Sequence, residues 1–304
     1  MTRTPIHVSI GTIFALLTVY GQSLETFRSD FSANSNLVLV PVTVTDRNGA
    51  FINGLTKDAF TISEDGVGQP IHSFSEDEAP VSVGIVLDTS GSMTALLPLA
   101  RESLRGFAAL SNPTDEAFLT TVSTHPRIWS GFTADIDWLV GRVAFEKAVG
   151  STALVDTIWV ALDQFRPAAN TRKALLVLSD GIDNHSRHTR SQLLRKASEM
   201  DVQVYAICLD DPTPNRKALE EVEAQHGMQL MQELAARTGG VQFLVRGRND
   251  AEQASWSISE TLRNEYNIGY VPGDKQRSGR WRRIRVKVAR AGLKVHSRRG
   301  YRLD

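Results

Sequence analysis

The sequence predicts an α/β fold, in which a doubly wound, mostly parallel sheet is inserted in, or flanked by, a small antiparallel β domain built from both terminal segments. Three observations predict it. Five continuous apolar runs between Ser82 and Val245 alternate with segments of helical spacing, as is typical of parallel strands buried on both faces. On both sides of this region the pattern changes to short strands separated by turn residues. A chain of 304 residues is also long enough for two domains.

The first 35 residues predict export. Residues 1–21 combine Arg3, an apolar core from Val8 to Tyr20 and small residues near Gly21, which is the layout of a secretory signal peptide cleaved after Gly21. An uncleaved N-terminal anchor is the alternative. Residues 22–35 are polar and predict a flexible tether. We therefore expect an exported chain, periplasmic or secreted, without a stable membrane span in its mature form.

Residues 36–79 predict an N-terminal β segment. Two strand-like runs are separated by Asn48-Gly49, a strong hairpin signal, and the pattern repeats around Asp65-Gly66. About 40 residues are too few for an independent core, so this segment needs strands from elsewhere in the chain.

Residues 80–265 predict the α/β domain. Its buried strands are expected at SVGIVLD, EAFLTTV, KALLVLSD, VQVYAICLD and VQFLV, and HPRIWSGF is a candidate for a short antiparallel edge strand. Helical faces are expected around residues 97–108, 154–165, 193–200 and 230–234. Gly239-Gly240 is typical of a helix C-terminus.

Residues 266–304 return to the strand pattern, and we expect them to pair with residues 36–79 in a small sandwich. Ile284, Val286 and Val288 alternate with basic residues, so one face is buried and the other is wet. From residue 276 to residue 303 there are eleven Lys or Arg and no carboxylate. This run is either the wet face of a sheet, balanced by the acidic run SEDEAP and by Glu64-Asp65 of the N-terminal β segment, or a patch for an anionic polymer or a membrane surface. The alternation favours the first interpretation.

Composition excludes several classes of function. With 34 basic and 34 acidic residues, the net charge is zero, so no whole-molecule field favours nucleic acid as a partner. Cys208 is the only cysteine, which rules out an internal disulfide and argues against a cysteine-based zinc site. We expect it to be a small buried side chain.

A cluster of oxygen-bearing side chains is expected at the carboxyl edge of the sheet. Asp88, Ser90 and Ser92 stand at the end of the SVGIVLD strand, Asp180 stands at the end of the KALLVLSD strand, and Thr152 precedes a helix. Open α/β sheets bind ligands at this edge. Carboxylates and hydroxyls are hard donors that suit Mg²⁺, or Mn²⁺ or Ca²⁺, better than zinc. The simpler interpretation is that Ser90, Ser92 and Thr152 only cap helices.

The spacing DTSGS, then a threonine in GSTALVD, then LSDG resembles the metal-ion-dependent adhesion site of von Willebrand factor type A (VWA) domains. The resemblance implies that Asp88, Ser90, Ser92, Thr152 and Asp180 hold a divalent metal ion whose open coordination position accepts an Asp or Glu carboxylate of a protein partner. The flanking segments, including LVPVTVTDRNGAF and RWRRIRVKVAR, resemble a group of exported bacterial VWA-related proteins of the acidobacterial type. This narrower resemblance covers nearly all of the mature chain and implies an architecture but no named partner.

The function expected from these features is non-catalytic binding or adhesion through protein–protein interaction, with no catalytic residues. One alternative is a structural component of cell-envelope assembly with a vestigial metal site. Another is a Mg²⁺-dependent phosphotransfer enzyme that uses Asp88 as nucleophile. Haloacid dehalogenase-like enzymes carry a second aspartate two positions later, where this chain has Ser90, and this departure argues against catalysis. The sequence does not determine the oligomeric state.

Overall fold

The computed structural model describes residues 37–47, 50–76, 79–210, 218–273 and 279–302. The predicted signal peptide, the tether and the Asn48-Gly49 turn lie outside these ranges. The strands are β1 (Val38–Thr45), β2 (Phe60–Glu64), β3 (Val67–Gln69), β4 (Ser73–Glu76), β5 (Val81–Asp88), β6 (Glu116–Val122), β7 (Arg127–Ile128), β8 (Arg172–Ser179), β9 (Gln203–Leu209), β10 (Gln242–Val245), β11 (Tyr266–Tyr270), β12 (Trp281–Val288), β13 (Lys294–Ser297) and β14 (Gly300–Arg302). The α-helices are α1 (Leu97–Ala108), α2 (Ile136–Val143), α3 (Leu154–Asp163), α4 (Arg190–Glu199), α5 (Ala218–Thr238) and α6 (Arg248–Arg263).

The α/β domain is built on one sheet with the strand order β10-β9-β8-β5-β6-β7. Neighbouring strands are parallel except for β7, which pairs antiparallel with β6 at one edge. Helices α1, α2 and α6 cover one face, and α3, α4 and α5 cover the other. All eight residues of the central strand β5 are buried, which explains its unbroken apolar run. The predicted doubly wound, mostly parallel sheet is confirmed.

The terminal segments form two four-stranded antiparallel sheets, β13-β1-β11-β4 and β14-β12-β2-β3. Both contribute side chains to one apolar core, which includes Val40, Val42, Ile62, Ile268 and Ile284. Each sheet mixes strands from the two ends of the chain, so the predicted β domain built from both terminal segments is confirmed. The predicted turn at Asp65-Gly66 is present, with φ of 49° and 88°, and it joins β2 to β3.

The α/β domain is inserted between β4 and β11. These two strands are themselves paired, with Glu76 opposite Tyr266. The chain therefore leaves the β domain and returns to it at adjacent positions of the same sheet.

One predicted strand is shorter than expected. After Asn48-Gly49 the chain pairs back on β1 through a single bridge between Phe51 and Thr45, flanked by hydrogen bonds from the Asp46 amide to the Ala50 carbonyl (2.8 Å) and from the Ile52 amide to the Val44 carbonyl (2.9 Å). The Tyr266 hydroxyl instead accepts a hydrogen bond from the Leu55 amide (3.0 Å) and donates one to the Ile52 carbonyl (2.9 Å). The buried Tyr266 side chain thus provides hydrogen bonds to backbone groups of this segment that would otherwise need a neighbouring strand.

The apolar periodicity does not predict α2 or α6. Helix α2 has only eight residues, and it begins at Asp135, whose carboxylate accepts a hydrogen bond from the Trp138 amide. Helix α6 packs small residues against α1, and the Ser255 hydroxyl donates a hydrogen bond to the Ser103 carbonyl (2.7 Å). A helix that buries Ala and Ser gives a weak apolar signal.

Candidate metal centre

The centre of the candidate site is Asp88, the last residue of β5. Strands β5 and β8 are paired with Leu87 opposite Leu178, so Asp88 and Ser179 lie side by side one residue further along. The Ser179 hydroxyl donates a hydrogen bond to Asp88 Oδ2 at 2.5 Å, and the Ser90 amide donates one to Asp88 Oδ1 at 2.9 Å. Asp88 has no solvent exposure. Sequence reasoning missed Ser179, although its place in LSDG at the end of a buried strand could have indicated it.

The loop after β5 brings the two predicted serines together. The hydroxyls of Ser90 and Ser92 lie 3.2 Å apart. Ser90 is fully buried, whereas Ser92 is exposed, so the pair leads from the buried aspartate to the surface. Ser90 stands at the start of a short 3₁₀ turn, Gly91–Thr94, but its side chain makes no capping hydrogen bond. The expectation that Ser90 only caps a helix is therefore wrong.

Thr152 is held beside this loop by backbone hydrogen bonds. The Gly91 amide donates to the Gly150 carbonyl (3.0 Å), and Val149 donates to the Thr89 carbonyl (2.8 Å). Thr152 is 2% exposed. The residue at the N-cap of α3 is Ala153, and no side-chain capping bond is made there. The expectation that Thr152 caps helix α3 is therefore wrong.

Asn184 joins the threonine loop to the loop that follows β8. Its side-chain oxygen accepts a hydrogen bond from the Thr152 amide (2.9 Å), and its own amide donates to the Thr152 carbonyl (3.1 Å). The sequence indicates Asn184, behind Asp180, either as a polar loop residue or as a support for the ligands. Its partner is 32 residues away in the chain, so only the fold identifies which residue it supports.

Asp180 follows β8 and is fully buried. Its Oδ1 accepts a hydrogen bond from the Ile182 amide at 3.2 Å, and the Gly181 amide donates to the Ser179 hydroxyl at 3.0 Å. Gly181 has a φ of 86°, a conformation that glycine adopts without steric cost.

The two aspartates act on each other electrostatically. Burial, and then the negative charge of Asp180, raise the pKa of Asp88 to about 7, although hydrogen bonds from Ser179 and Ser90 oppose the shift. No basic side chain is among the groups that shift this pKa. Two buried carboxylates in this arrangement favour a bound proton or a bound cation, because either reduces the repulsion between them.

The side chains fit a hard divalent cation. The set consists of two carboxylates and neutral hydroxyls, and its donors are all oxygens. In the described ranges no group of three or more His, Cys, Asp or Glu residues could hold a metal ion. A cation here would therefore depend on the hydroxyls of Ser90, Ser92 and Thr152 as well as on Asp88 and Asp180. Exposure of Ser92 leaves one side of the set open to solvent.

No known protein family matches the chain by sequence, and no curated protein matches it. Among solved structures, a von Willebrand factor type A protein from Catenulispora acidiphila aligns with 90% of this chain and 76% of its own, with 14% identity and a TM-score of 0.51. The chain therefore has the VWA fold, as the resemblance implied.

Two other solved structures align with a smaller part of this chain. An aerotolerance-related membrane protein from Bacteroides fragilis NCTC 9343 aligns with 60% of this chain and 98% of its own, with 19% identity and a TM-score of 0.49. The vWF domain of a type V pilus tip protein from Porphyromonas gingivalis aligns with 61% of this chain and 95% of its own, with 12% identity and a TM-score of 0.47. At this distance neither likeness carries an argument about function.

Within the described residues, no helix combines the length and the apolar character needed to cross a membrane.

Proposed function

We propose that the chain is an exported, non-catalytic adhesion module, periplasmic or secreted, that binds a protein partner through a divalent metal ion. Asp88, Ser90, Ser92, Thr152 and Asp180 would hold Mg²⁺, or Mn²⁺ or Ca²⁺. The bound ion would supply a coordination position for an Asp or Glu carboxylate of the partner. The VWA fold supports this proposal.

The observation that carries the proposal is the buried pair Asp88 and Asp180 beneath hydroxyls that cap no helix. Two adjacent buried carboxylates destabilise the fold unless something compensates their charge. Hydroxyls with free lone pairs provide further ligands without adding negative charge. A cation held by so few charged ligands keeps a strong attraction for an external carboxylate.

The burial of Asp88 argues against the phosphotransfer alternative. A nucleophilic aspartate has to reach the phosphorus atom of its substrate. Asp88 has no exposed surface, and both of its carboxylate oxygens already accept hydrogen bonds. The buried position of Asp88 suits a residue that stabilises a bound cation by its negative charge.

Ion binding is tested first, by calorimetric titration of Mn²⁺ and thermal unfolding in Mg²⁺, on the chain purified after export. An ion at about one hundred times its dissociation constant raises the unfolding free energy of the wild type by about 2.7 kcal/mol. We expect Asp180→Asn and Asp88→Asn to lose this response. Asp115→Asn is the matched control, because Asp115 is also buried but accepts its hydrogen bonds from Val81 and Asn112 at the opposite edge of the sheet. An unchanged response in Asp180→Asn would contradict the proposed site.

Carboxylate recognition is tested second. A pool of peptides that each carry one Asp or Glu is compared with the same pool carrying Asn or Gln, by fluorescence anisotropy in Mg²⁺. We expect binding of the acidic pool only, and its loss in EDTA. Binding that persists in EDTA and in Ser90→Ala would favour the structural envelope component with a vestigial metal site.

A further inference from the structure

A second candidate site lies at the junction of the α/β domain and the β domain. A cleft of about 970 Å³ is lined by α4, the end of α5 and strands β12, β13 and β14. Clefts between domains are common ligand sites. None of the five residues of the candidate metal centre lines this cleft.

The cleft is strongly basic. Its lining includes a single carboxylate, Glu199, and these arginines: Arg195, Arg237, Arg283, Arg285, Arg298, Arg299 and Arg302. Three of the seven are in ion pairs, since Arg302 pairs with Glu199 (3.1 Å), Arg298 with Asp201 (3.0 Å) and Arg237 with Glu233 (2.7 Å). The other four have no carboxylate partner within the part of the chain that the structure describes. Four uncompensated guanidinium groups in one concave surface attract anions.

The basic side chains on the outward face of β12 form a row that extends the positive charge of the cleft. Trp281, Arg283, Arg285 and Lys287 are exposed, and the residues between them point inward. Alternate residues of a strand lie about 6.6 Å apart, so the basic side chains are evenly spaced.

The neighbouring strand β2 does not neutralise the row. Arg285 and Lys287 lie opposite Ser63 and Thr61. Asp65 accepts a hydrogen bond from the backbone amide of Arg283 (2.9 Å) and is not within ion-pair distance of its side chain.

Glu64, which the sequence suggested as a balancing charge, faces the core instead. It forms a buried ion pair with Arg282 and accepts hydrogen bonds from the hydroxyls of Tyr270 (2.6 Å) and Tyr301 (2.8 Å). The alternation along β12 is therefore as expected, but the expected neutralisation by Glu64 is wrong. The basic face remains available for an external anion.

Trp281 forms a fixed aromatic surface at one end of the row. The strand pairing of β12 and β14 brings Gly300 so close that a Cβ there would lie 2.6 Å from the Trp281 ring. The indole thus rests on backbone, yet the residue is 40% exposed. An immobilised, exposed ring is suited to stacking on a flat ligand group.

We propose that this cleft binds an acidic polysaccharide, a linear chain of sugars that carry carboxylate or sulfate groups. Arginine forks bind such anions through paired hydrogen bonds, and Trp281 stacks on a sugar ring. The cleft is concave and has the exposed Trp281 ring at one end, a combination that fits an extended chain of anionic sugars, whereas a membrane surface offers no sugar ring for Trp281 to stack on. The predicted export favours a polysaccharide over nucleic acid, since an exported protein meets the sugars of the cell envelope. This site needs no metal ion and does not depend on the adhesion proposal.

Binding is measured in EDTA, at low salt, on the chain purified after export. The probes are polygalacturonate for carboxylates and chondroitin sulfate for sulfates, with dextran as the neutral control. We expect at least one acidic probe to bind, with an affinity that falls steeply as NaCl is raised, and dextran not to bind.

The variants assign this binding to the cleft. The triple variant Arg283→Gln, Arg285→Gln, Arg299→Gln should weaken it at least about tenfold, since each lost charge-assisted contact is costly. Trp281→Ala should weaken it about three- to tenfold through lost stacking. The matched control Arg47→Gln, Arg105→Gln, Arg166→Gln removes the same charge from exposed positions outside the cleft and should change affinity less than about twofold.

All variants are checked for an unchanged unfolding midpoint. An equal loss of binding in both triple variants, or equal binding of dextran, would overturn the proposal. So would failure of both acidic probes, or tighter binding of single-stranded DNA or of phosphatidylglycerol vesicles than of either polysaccharide.

Discussion

At the scale of single residues, Ser90 is completely buried, and its hydroxyl makes no capping bond to the backbone of its loop. It contacts the Ser92 hydroxyl and the Asp88 carboxylate. Thr94, in the same loop, has the opposite role, because its hydroxyl donates a hydrogen bond to the Gly91 carbonyl (2.7 Å). Substitutions at these two residues therefore distinguish an effect on ion binding, at Ser90, from an effect on the local fold, at Thr94.

We predict that Ser90→Ala in EDTA changes the unfolding free energy by less than about 1 kcal/mol, since no capping bond is lost. Its affinity for Mn²⁺ should fall at least about tenfold, because a ligand oxygen is removed. Thr94→Ala should show the reverse, with a loss of about 1 kcal/mol of stability and an unchanged Mn²⁺ affinity. Urea unfolding and calorimetric titration measure the two quantities. Equal Mn²⁺ affinities of Ser90→Ala and the wild type would exclude Ser90 as a ligand.

At the scale of elements, the position of the Asp180 loop depends on a backbone contact with α5. Gly181 and Gly227 approach so closely that a Cβ on Gly227 would lie 1.6 Å from the Gly181 carbonyl oxygen. A Cβ on Gly181 would in turn lie 2.9 Å from the Ala224 carbonyl oxygen. The helix can pack directly against this loop only because both residues lack side chains.

We predict that Gly227→Ala destabilises the protein by about 1–3 kcal/mol through overpacking, although alanine is the better helix former by about 1 kcal/mol. It should also weaken Mn²⁺ binding, because the loop that carries Asp180 has to move. Gly141→Ala in α2 is the matched control, since nothing lies within 4 Å of a Cβ at that position. It should stabilise the protein by about 0.5–1 kcal/mol. The same sign of stability change in both variants would contradict this account.

The elements also divide into those that the sequence predicts and those that it does not. Strands β5, β6, β8 and β9 follow from continuous apolar runs, because burial on both faces requires them. The run VQFLV also predicts β10, although this strand lies at the edge of the sheet and Leu244 is exposed. The DTSGS spacing places three of the five candidate ligands by local geometry alone. The contacts of Ser179 with Asp88 and of Asn184 with Thr152 join residues 91 and 32 positions apart. Such contacts depend on strand order and loop packing, which local patterns do not encode.

At the scale of the whole molecule, a buried polar cluster links the α/β domain to the β domain. Glu265, directly before β11, accepts a hydrogen bond from Gln203 of β9 and lies 4.0 Å from Arg172 of β8. Burial raises the pKa of Glu265 to about 7, and the charge of Asp201 adds to this, while Gln203 and Arg172 oppose it. The folded protein therefore binds a proton at Glu265 more tightly than the unfolded chain does.

We predict that this group lowers the unfolding free energy by about 3 kcal/mol as the pH rises from about 4.5 to about 7. Below this window both states are protonated, and above it the loss is complete. Glu265→Gln should remove this dependence and be more stable than the wild type at pH 8, because an amide oxygen can still accept the bond from Gln203. Urea unfolding in EDTA at pH 5 and pH 8 measures the unfolding free energies of the wild type and of Glu265→Gln. A wild type that gains stability relative to Glu265→Gln between these pH values would contradict the sign.

The insertion of the α/β domain between two paired strands has a consequence for the evolution of such chains. Because Glu76 and Tyr266 are partners in one ladder, the β domain would keep its pairing if everything between them were replaced by a tight turn. The inserted segment is therefore structurally exchangeable. Another domain whose two ends lie equally close together could take its place and leave the strand pairing of the β domain unchanged.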